Sequence, residues 1–265
     1  MFWNRCRVAI PVGSPCMTID NDEDLLGLQR AGRAVADARD AMLRALHPGM
    51  TTQELDAVGR DVLNAHGARS APQLAYDFPG TTCISVNEQA AHGIPSTRVL
   101  HDGDMVNIDV SAELDGYWAD TGASASVGAP SAEARRLLDA TRGARRDALA
   151  AARAGKPLRH IGRAVQKRAQ RHGLSVVVNL CGHGVGRFIH EEPSVPGVED
   201  PRDRTILWEG LVLAIEPFLS ISATHAVEGD DGWTLLSNDG SLVAQFEHTV
   251  VITKGKPIVV TASTA

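Results

Sequence analysis

Apolar side chains along this chain recur with two different periods, and the switch between them divides the sequence into four parts. Leu25, Leu28, Val35, Met42, Leu43 and Leu46 fall at the spacing of one helical face. Asn21-Asp22 offers an N-cap, Glu23 and Asp24 put acid in the first turn, and Pro48-Gly49 ends the run. Thr51-x-x-Glu54 is a capping box for a second helix, with Leu55, Val58 and Leu63 inward and Gly67 as its stop. The period then shortens. Cys83 to Asn87 reads as a short strand and His92-Gly93-Ile94-Pro95 as a loop. Val106, Ile108 and Val110 alternate with Asn107, Asp109 and Ser111, the pattern of a half-buried strand, and Asp115-Gly116 is a favoured two-residue hairpin turn. Helical spacing returns with Ser131 as the cap of a third helix, Ala134, Leu137, Leu138, Ala144 and Leu149 inward as far as about Ala152. A fourth helix spans about Leu158 to His172 and stops at Gly173. The remainder reads as strands: Val176 to Val178, Leu211 to Phe218, and a last hairpin from Trp233 to Leu236 and Leu242 to Thr253 around Asn238-Asp239-Gly240. Residues 195–206 read as a polar loop.

The hairpin turn fixes a register. With Asp115 and Gly116 as the loop, Ser111 sits opposite Asp120 and Asp109 opposite Gly122. Asp109 and Asp120 are then diagonal neighbours on one face, roughly 7–8 Å apart at the backbone. A strand aspartate is ordinarily solvated, and one such pair would mean little. Two further carboxylates change the picture: Glu216 interrupts the apolar run Leu211 to Phe218, and Glu247 interrupts the run Leu242 to Thr253. Burying an unpaired charge costs several kcal/mol, so carboxylates on three apolar strands call for a cation between them. Cys181-Gly182-His183-Gly184-Val185-Gly186 is too rich in glycine to ignore. No helical pattern and no Lys-Ser/Thr follows it, which excludes a phosphate loop. Glycines on both sides of His183 are expected to let the backbone approach a bound group.

Composition narrows the field. The chain has 265 residues, 43% hydrophobic and 22% charged, as in ordinary globular proteins. A net charge of −6 and 4% aromatics argue against a general nucleic-acid binder or a base-stacking platform. No apolar run approaches the roughly 18 residues of a membrane span. The four cysteines, Cys6, Cys16, Cys83 and Cys181, form no C-x-x-C pair and no disulfide framework, which points to a reducing, cytoplasmic setting. Residues 1–16 carry Arg5 and Arg7 without a signal-peptide core, and Met17 precedes the first helix signal, so residues 1–16 are expected to be a disordered tail. The arginines and lysines of residues 135–172 read as a solvated helix face.

Nine segments follow one another between residues 17 and 255: Cys83-Ile-Ser-Val-Asn-Glu, His92-Gly-Ile-Pro, Asn107-Ile-Asp-Val, Ala119-Asp-Thr, Gly182-His-Gly-Val-Gly-Arg, His190-Glu-Glu-Pro, Ile215-Glu-Pro, Asp231-Gly-Trp-Thr and Gln245-Phe-Glu-His-Thr. In this order and spacing the chain resembles the type I methionine aminopeptidases. The resemblance implies an α/β (α+β) pita-bread fold over residues 17–265 as a single catalytic domain: two pseudo-symmetric halves, each a helix pair with a curved antiparallel sheet. It implies two divalent metal ions, Mn, Fe, Co or Zn, with Asp109 on one, His183 and Glu216 on the other, and Asp120 and Glu247 bridging. It implies hydrolysis by a water activated between the metals, with Glu216 as general base. His92 would contact the scissile amide, and His190 the substrate carbonyl. Phe78, Cys83, His92 and Trp233 would form the methionine pocket. The substrates implied are peptide and nascent-protein N-termini, with transient ribosome contact and a monomeric enzyme.

This chain departs from the family at two points. Ile189 stands before His190 where the family usually has Phe, and the usual Tyr-x-Gly-Phe-Pro run appears as Tyr76-Asp-Phe-Pro. Both touch the side-chain pocket, where selectivity changes by roughly 1–3 kcal/mol. Prolidases and Xaa-Pro aminopeptidases resemble the chain at the same ligands but usually carry an added N-terminal domain. Non-catalytic relatives lose ligands, and all five positions are filled here.

Overall fold

Each half of the molecule is a helix pair laid on antiparallel strands, and the capping signals in the sequence set where the helices begin. The computed structural model describes residues 17–263, so the expected tail at residues 1–16 lies outside the described residues. The first half holds α1 (Asp22–Ala45), α2 (Thr52–Ala65), β1 (Arg69–Ser70), α3 (Ala71–Tyr76), β2 (Cys83–Val86), β3 (Gln89–Ala91), β4 (Met105–Leu114) and β5 (Tyr117–Ser126). The second holds α4 (Ala132–Ala151), α5 (Arg159–Arg171), β6 (Ser175–Val176), β7 (Cys181–Gly184), β8 (Glu191–Pro196), β9 (Val212–Ile215) and β10 (Phe218–Ser220). It continues through β11 (Ala226–Glu228), β12 (Leu235–Ser237), β13 (Val243–Gln245), β14 (His248–Val251) and β15 (Ile258–Val259).

The Asn21 side chain accepts the Asp24 N–H at 2.9 Å. Thr51 Oγ1 accepts the Glu54 N–H at 3.2 Å while Glu54 Oε2 accepts the Thr51 N–H at 2.7 Å, closing the predicted capping box. The β4–β5 hairpin has the predicted register, with Asp109 opposite Gly122 and Ser111 opposite Asp120. β2 pairs along the other edge of β4, and β1 pairs further along it. The second half builds the sheet order β15-β14-β9-β7-β8, all antiparallel.

β4 is buried on both faces rather than one. Val106, Ile108, Val110 and Ala112 join Leu28, Ala31, Ala34 and Val35 of α1 in one core. Asn107, Asp109 and Ser111 turn the other way, into the interior between the halves. The period-two pattern located both faces; polarity did not mean solvent here. α1 approaches β5 closely because Gly27 has no side chain. A Cβ there would lie 2.2 Å from the Tyr117 ring.

Four local expectations change. The run Leu211 to Phe218 is two strands, broken at Glu216-Pro217, since Pro217 has no N–H for a ladder. The run Leu242 to Thr253 is likewise broken at Phe246-Glu247. The expected last hairpin does not form: β12 pairs with β11 and β3, while β13 pairs with β10. The expected loop at 195–206 begins later, because β8 extends to Pro196. The short α3, capped by Ser70 with Pro72 in its first turn, gave too few residues for a period to be read.

Candidate metal centre

The two breaks face one another. His248 pairs with Ile215, and Gln245 with Phe218, so Glu216-Pro217 and Phe246-Glu247 occupy a gap between two ladders. There the chain bonds to the first half instead. The Glu247 N–H donates to the Gly122 carbonyl at 2.8 Å, and Phe246 forms a bridge to Ala123. Thr249 Oγ1 donates to the Asp120 carbonyl at 2.7 Å and accepts the Asp120 N–H at 2.9 Å. Glu247 is thereby pinned beside the strand that carries Asp120.

Asp120, His183 and Glu247 each present a ligand atom, all within 4.8 Å of one another. His183 Nε2 lies 3.4 Å from Glu216 Oε1 and 3.8 Å from Asp120 Oδ2. Asp109 lies next to Asp120 on the β4–β5 hairpin and lines the same cavity. Of the five residues singled out in the sequence, Asp120, His183 and Glu247 meet at one point, with Glu216 beside His183 and Asp109 beside Asp120. The protonation pattern argues for a cation. His183 Nδ1 sits 2.8 Å from the Gly184 carbonyl, which only accepts, so the proton is on Nδ1 and the Nε2 lone pair faces carboxylate oxygens. Burial keeps this imidazole neutral, with its pKa lowered to about 4. Asp120 Oδ1 and Glu247 Oε1 are buried and accept no hydrogen bond among the described residues. A lone pair and two orphan carboxylate oxygens aimed at each other repel unless a cation lies between them, so this donor set fits divalent metal.

Without a cation the carboxyls resist ionisation. Burial raises Asp120, Glu216 and Glu247 well above the carboxylate range, and neighbouring carboxylates add to it. Asp109 rises to about 6 by burial, held back by the Asp120 side chain. Gln245 was not singled out for any role, yet it organises the cluster. Its Nε2 donates to Glu247 Oε2 at 3.1 Å and Glu216 Oε2 at 3.5 Å, and its Oε1 accepts from Asn107 Nδ2 at 2.9 Å. The available signal was position: Gln245 and Glu247 are two apart on an apolar strand. Gly122 leaves room for it, since a Cβ there would lie 2.1 Å from Gln245 Oε1.

The glycines around His183 serve a different purpose from the one expected. A Cβ on Gly182 would meet the Ala214 carbonyl oxygen at 2.3 Å, and on Gly184 the Glu192 carbonyl oxygen at 2.2 Å. They admit the backbones of neighbouring strands rather than a ligand.

A cavity opens over the cluster, lined by Asp109, Asp120, His183 and Glu216 at its base and by Phe78, Cys83, His92, His190 and Trp233 around it. Glu247 lies behind this lining, 1% exposed. The Phe78 and Trp233 rings meet edge to face, with centroids 5.2 Å apart. Burial holds His92 neutral, its pKa lowered to about 4, with His183 adding to the shift. His190 is pushed well below the ordinary range by burial, then by His183 and His92. Its Nδ1 lies 2.5 Å from the Tyr76 hydroxyl, a partner with no role assigned from the sequence. Ile189 also lines the cavity.

Residues 27–254 match the profile of metallopeptidase family M24. The chain belongs to this family. Among relatives of the M24 chain, methionine aminopeptidase 2 of Bacillus subtilis (strain 168) is 48% identical over 247 residues, covering 92% of this chain and 99% of that one. A methionine aminopeptidase of Aquifex aeolicus (strain VF5) is 38% identical, covering 88% and 94%. The crystal structure of methionine aminopeptidase from Thermotoga maritima superposes with a TM-score of 0.90 at 30% identity, covering 93% of this chain and all of that one. Prolidase from Pyrococcus furiosus, at 22% identity and a TM-score of 0.73, covers 94% of this chain and 66% of that one and shares the fold. The architecture is the pita-bread fold expected from the sequence. Among the described residues no helix is long and apolar enough to cross a membrane.

Proposed function

We propose that this M24 metallopeptidase removes the N-terminal methionine from nascent proteins and peptides by hydrolysis at a centre holding two divalent cations. The observation that carries the reading is the meeting of Asp120, His183 and Glu247 donor atoms within 4.8 Å, two of the carboxylate oxygens orphaned, beneath an aromatic-lined cavity. Asp109, Asp120, His183, Glu216 and Glu247 hold the metals, which oxygen-rich donors with one imidazole limit to ions such as Mn, Fe, Co or Zn. Divalent cations there supply Lewis acidity and make water a nucleophile near neutral pH.

The chain's own groups do the rest. Phe78, Cys83 and Trp233 receive the methionine side chain and exclude water from it. His190 turns its Nε2 edge to the substrate carbonyl next to the cut, and His92 assists the proton on its way to the leaving amine. Both imidazoles stay neutral at pH 7 and so act as donor or acceptor without a prior proton change. Glu216, raised by burial and by Asp109 and Asp120, is the general base that takes the proton from water. The same reading places the protein in the cytosol as a monomer, with transient approach to the ribosome following from its substrates.

Release of methionine from Met-Ala-Ser, followed by mass spectrometry with and without added Mn or Co, tests this directly. Norleucine, Leu and Xaa-Pro peptides run beside it. Metal-dependent loss of Met alone supports the proposal. Cleavage of Leu peptides at comparable rates would assign a broader pocket, with Ile189 as the residue to examine. No cleavage by metal-loaded protein would remove the catalytic assignment.

A further inference from the structure

Phe246 lies under the Arg142 and Arg145 guanidiniums of α4, and His248 lines the space beside them. A groove lies there, between α4 and the C-terminal segment. Its two parts, of about 590 Å³ and 350 Å³, share Arg142, Arg145, His248 and Ala262. That is the size range of small-molecule sites. Five arginines line it, in a chain whose net charge is −6: Arg39, Arg142, Arg145, Arg146 and Arg168.

Three of them are neutralised. Arg39 pairs with Asp40 at 2.7 Å, Arg142 with Asp139 at 3.1 Å and Arg168 with Asp147 at 2.7 Å. Arg145 and Arg146 have no carboxylate in pairing distance among the described residues. The Nε of Arg145 is also buried and makes no hydrogen bond there. A buried guanidinium N–H without an acceptor is unfavourable; burial first, then Arg39 and Arg142 beside it, lower the Arg145 pKa to about 10. The arrangement is nonetheless held in place. Arg142 and Arg145 lie 4.8 Å and 5.7 Å from the Phe246 ring centroid. Gly143, in mid-helix where glycine costs about 1 kcal/mol, leaves room for the Arg168 guanidinium, whose carbon a Cβ would meet at 3.3 Å.

We propose that this groove binds a small phosphate-class oxyanion, free phosphate or diphosphate or the phosphate of a small molecule, with Arg145 and Arg146 as its main partners. Guanidinium forks match phosphate oxygens two at a time. Positions 142, 145, 146 and 149 share one stripe of α4, so the charges of Arg142, Arg145 and Arg146 converge on a recess with Leu149, Val259 and Ala262 as apolar wall. A nucleic-acid backbone needs cations spaced along an open track instead, and the acidic remainder of the chain repels it.

The test is calorimetric titration of the metal-loaded protein with inorganic phosphate and with diphosphate, in wild type, Arg146→Ser and Arg145→Gln/Arg146→Ser. The double variant is expected to lose about tenfold to hundredfold in affinity, the worth of one or two charged hydrogen bonds. Arg146→Ser, at an exposed position, is expected to show a smaller loss and guards against misfolding of the double variant. Any binding at the catalytic metals persists in both variants, so equal affinity in wild type and variants would overturn the proposal. So would absence of phosphate binding by wild type up to about 10 mM, far above the range of specific sites. A single-stranded RNA oligonucleotide is titrated in parallel: RNA binding without phosphate binding overturns the small-anion assignment in favour of a nucleic-acid face.

Discussion

Tyr76→Phe removes one oxygen and tests how His190 is held. The Tyr76 hydroxyl lies 2.5 Å from His190 Nδ1. Burial raises the tyrosine above the ordinary phenol range and lowers the histidine, so both partners are neutral at pH 7. With the hydroxyl donating to Nδ1, the ring proton resides on Nε2, the edge left to meet a substrate carbonyl. The ring is also packed edge-on against His183, at 4.4 Å between centroids, so it cannot swing far. Phenylalanine keeps the packing and lets the proton redistribute between the nitrogens. Equal tautomer populations alone would halve the useful form. Loss of the buried hydrogen bond adds about 1–3 kcal/mol. If most of that appears in the transition state, kcat/KM for Met-Ala-Ser falls about tenfold to hundredfold, mainly in kcat. At about 2–4 °C per kcal/mol for a domain of this size, melting temperature should fall by about 2–12 °C. Nitrogen-15 spectra of the imidazoles provide a readout independent of turnover, reporting a shift of the His190 tautomer. A Tyr76→Phe protein with turnover within twofold of wild type and unchanged His190 shifts would refute the argument.

Three other perturbations have definite signs. Glu247→Gln removes a buried carboxyl crowded by Glu216 and Asp109, so in EDTA it should raise stability by about 1–3 kcal/mol while the melting-temperature rise on adding Mn shrinks; a less stable metal-free variant with the full metal response would contradict the cluster. His248 is held to about 2 by burial and by Arg145 and Arg39; its contribution is complete above its unfolded value near 6.5 and is lost as pH falls. Urea unfolding of His248→Asn between pH 6 and 4 should show a pH slope flatter by about 1.4 kcal/mol per unit, and parallel curves would exclude this histidine as the source. Gly184→Ala sets a Cβ 2.2 Å from the Glu192 carbonyl oxygen, a backbone atom of a paired strand, and should cost about 3 kcal/mol or more, whereas stability within 1 kcal/mol of wild type would show that β7 and β8 can separate freely.

How much of this was legible in the sequence depended on how local the deciding physics is. The caps at Asn21, Thr51 and Ser131 act within one turn and were read correctly, as was the β4–β5 register, which one Asp-Gly turn fixes. Asp109, Asp120, Glu216 and Glu247 stood out because carboxylates are anomalous on apolar strands. Gln245 did not, and Tyr76 was noticed only in a shortened run and not as the partner of His190, since Asn107 and His190 are brought to them by the tertiary fold alone. The glycines flanking His183 were noticed for the wrong reason: only the sheet order β9-β7-β8 shows that strand backbones crowd them from both sides.

The strand breaks are the least legible feature and the one on which the site depends most. An unbroken strand from Val212 to Ser220 paired with one from Val243 to Val251 would be a single ladder with every backbone group matched inside the second half. At the gap between His248–Ile215 and Gln245–Phe218 that matching stops. Pro217 has no N–H to leave unsatisfied. The N–H of Glu247 finds its acceptor in Gly122 of the first half, and Phe246 bridges to Ala123. The second half is thereby fastened to the first at the residues next to Asp120, and Glu216 and Glu247 are delivered to a point that already holds Asp109. Gln245 then ties the two glutamates to Asn107 of β4. Healing the break would satisfy the second sheet at the expense of the contact between halves, so selection for an ordinary continuous strand and selection for this carboxylate cluster pull in opposite directions. Pro217, which makes the continuous ladder impossible at that position, decides between them.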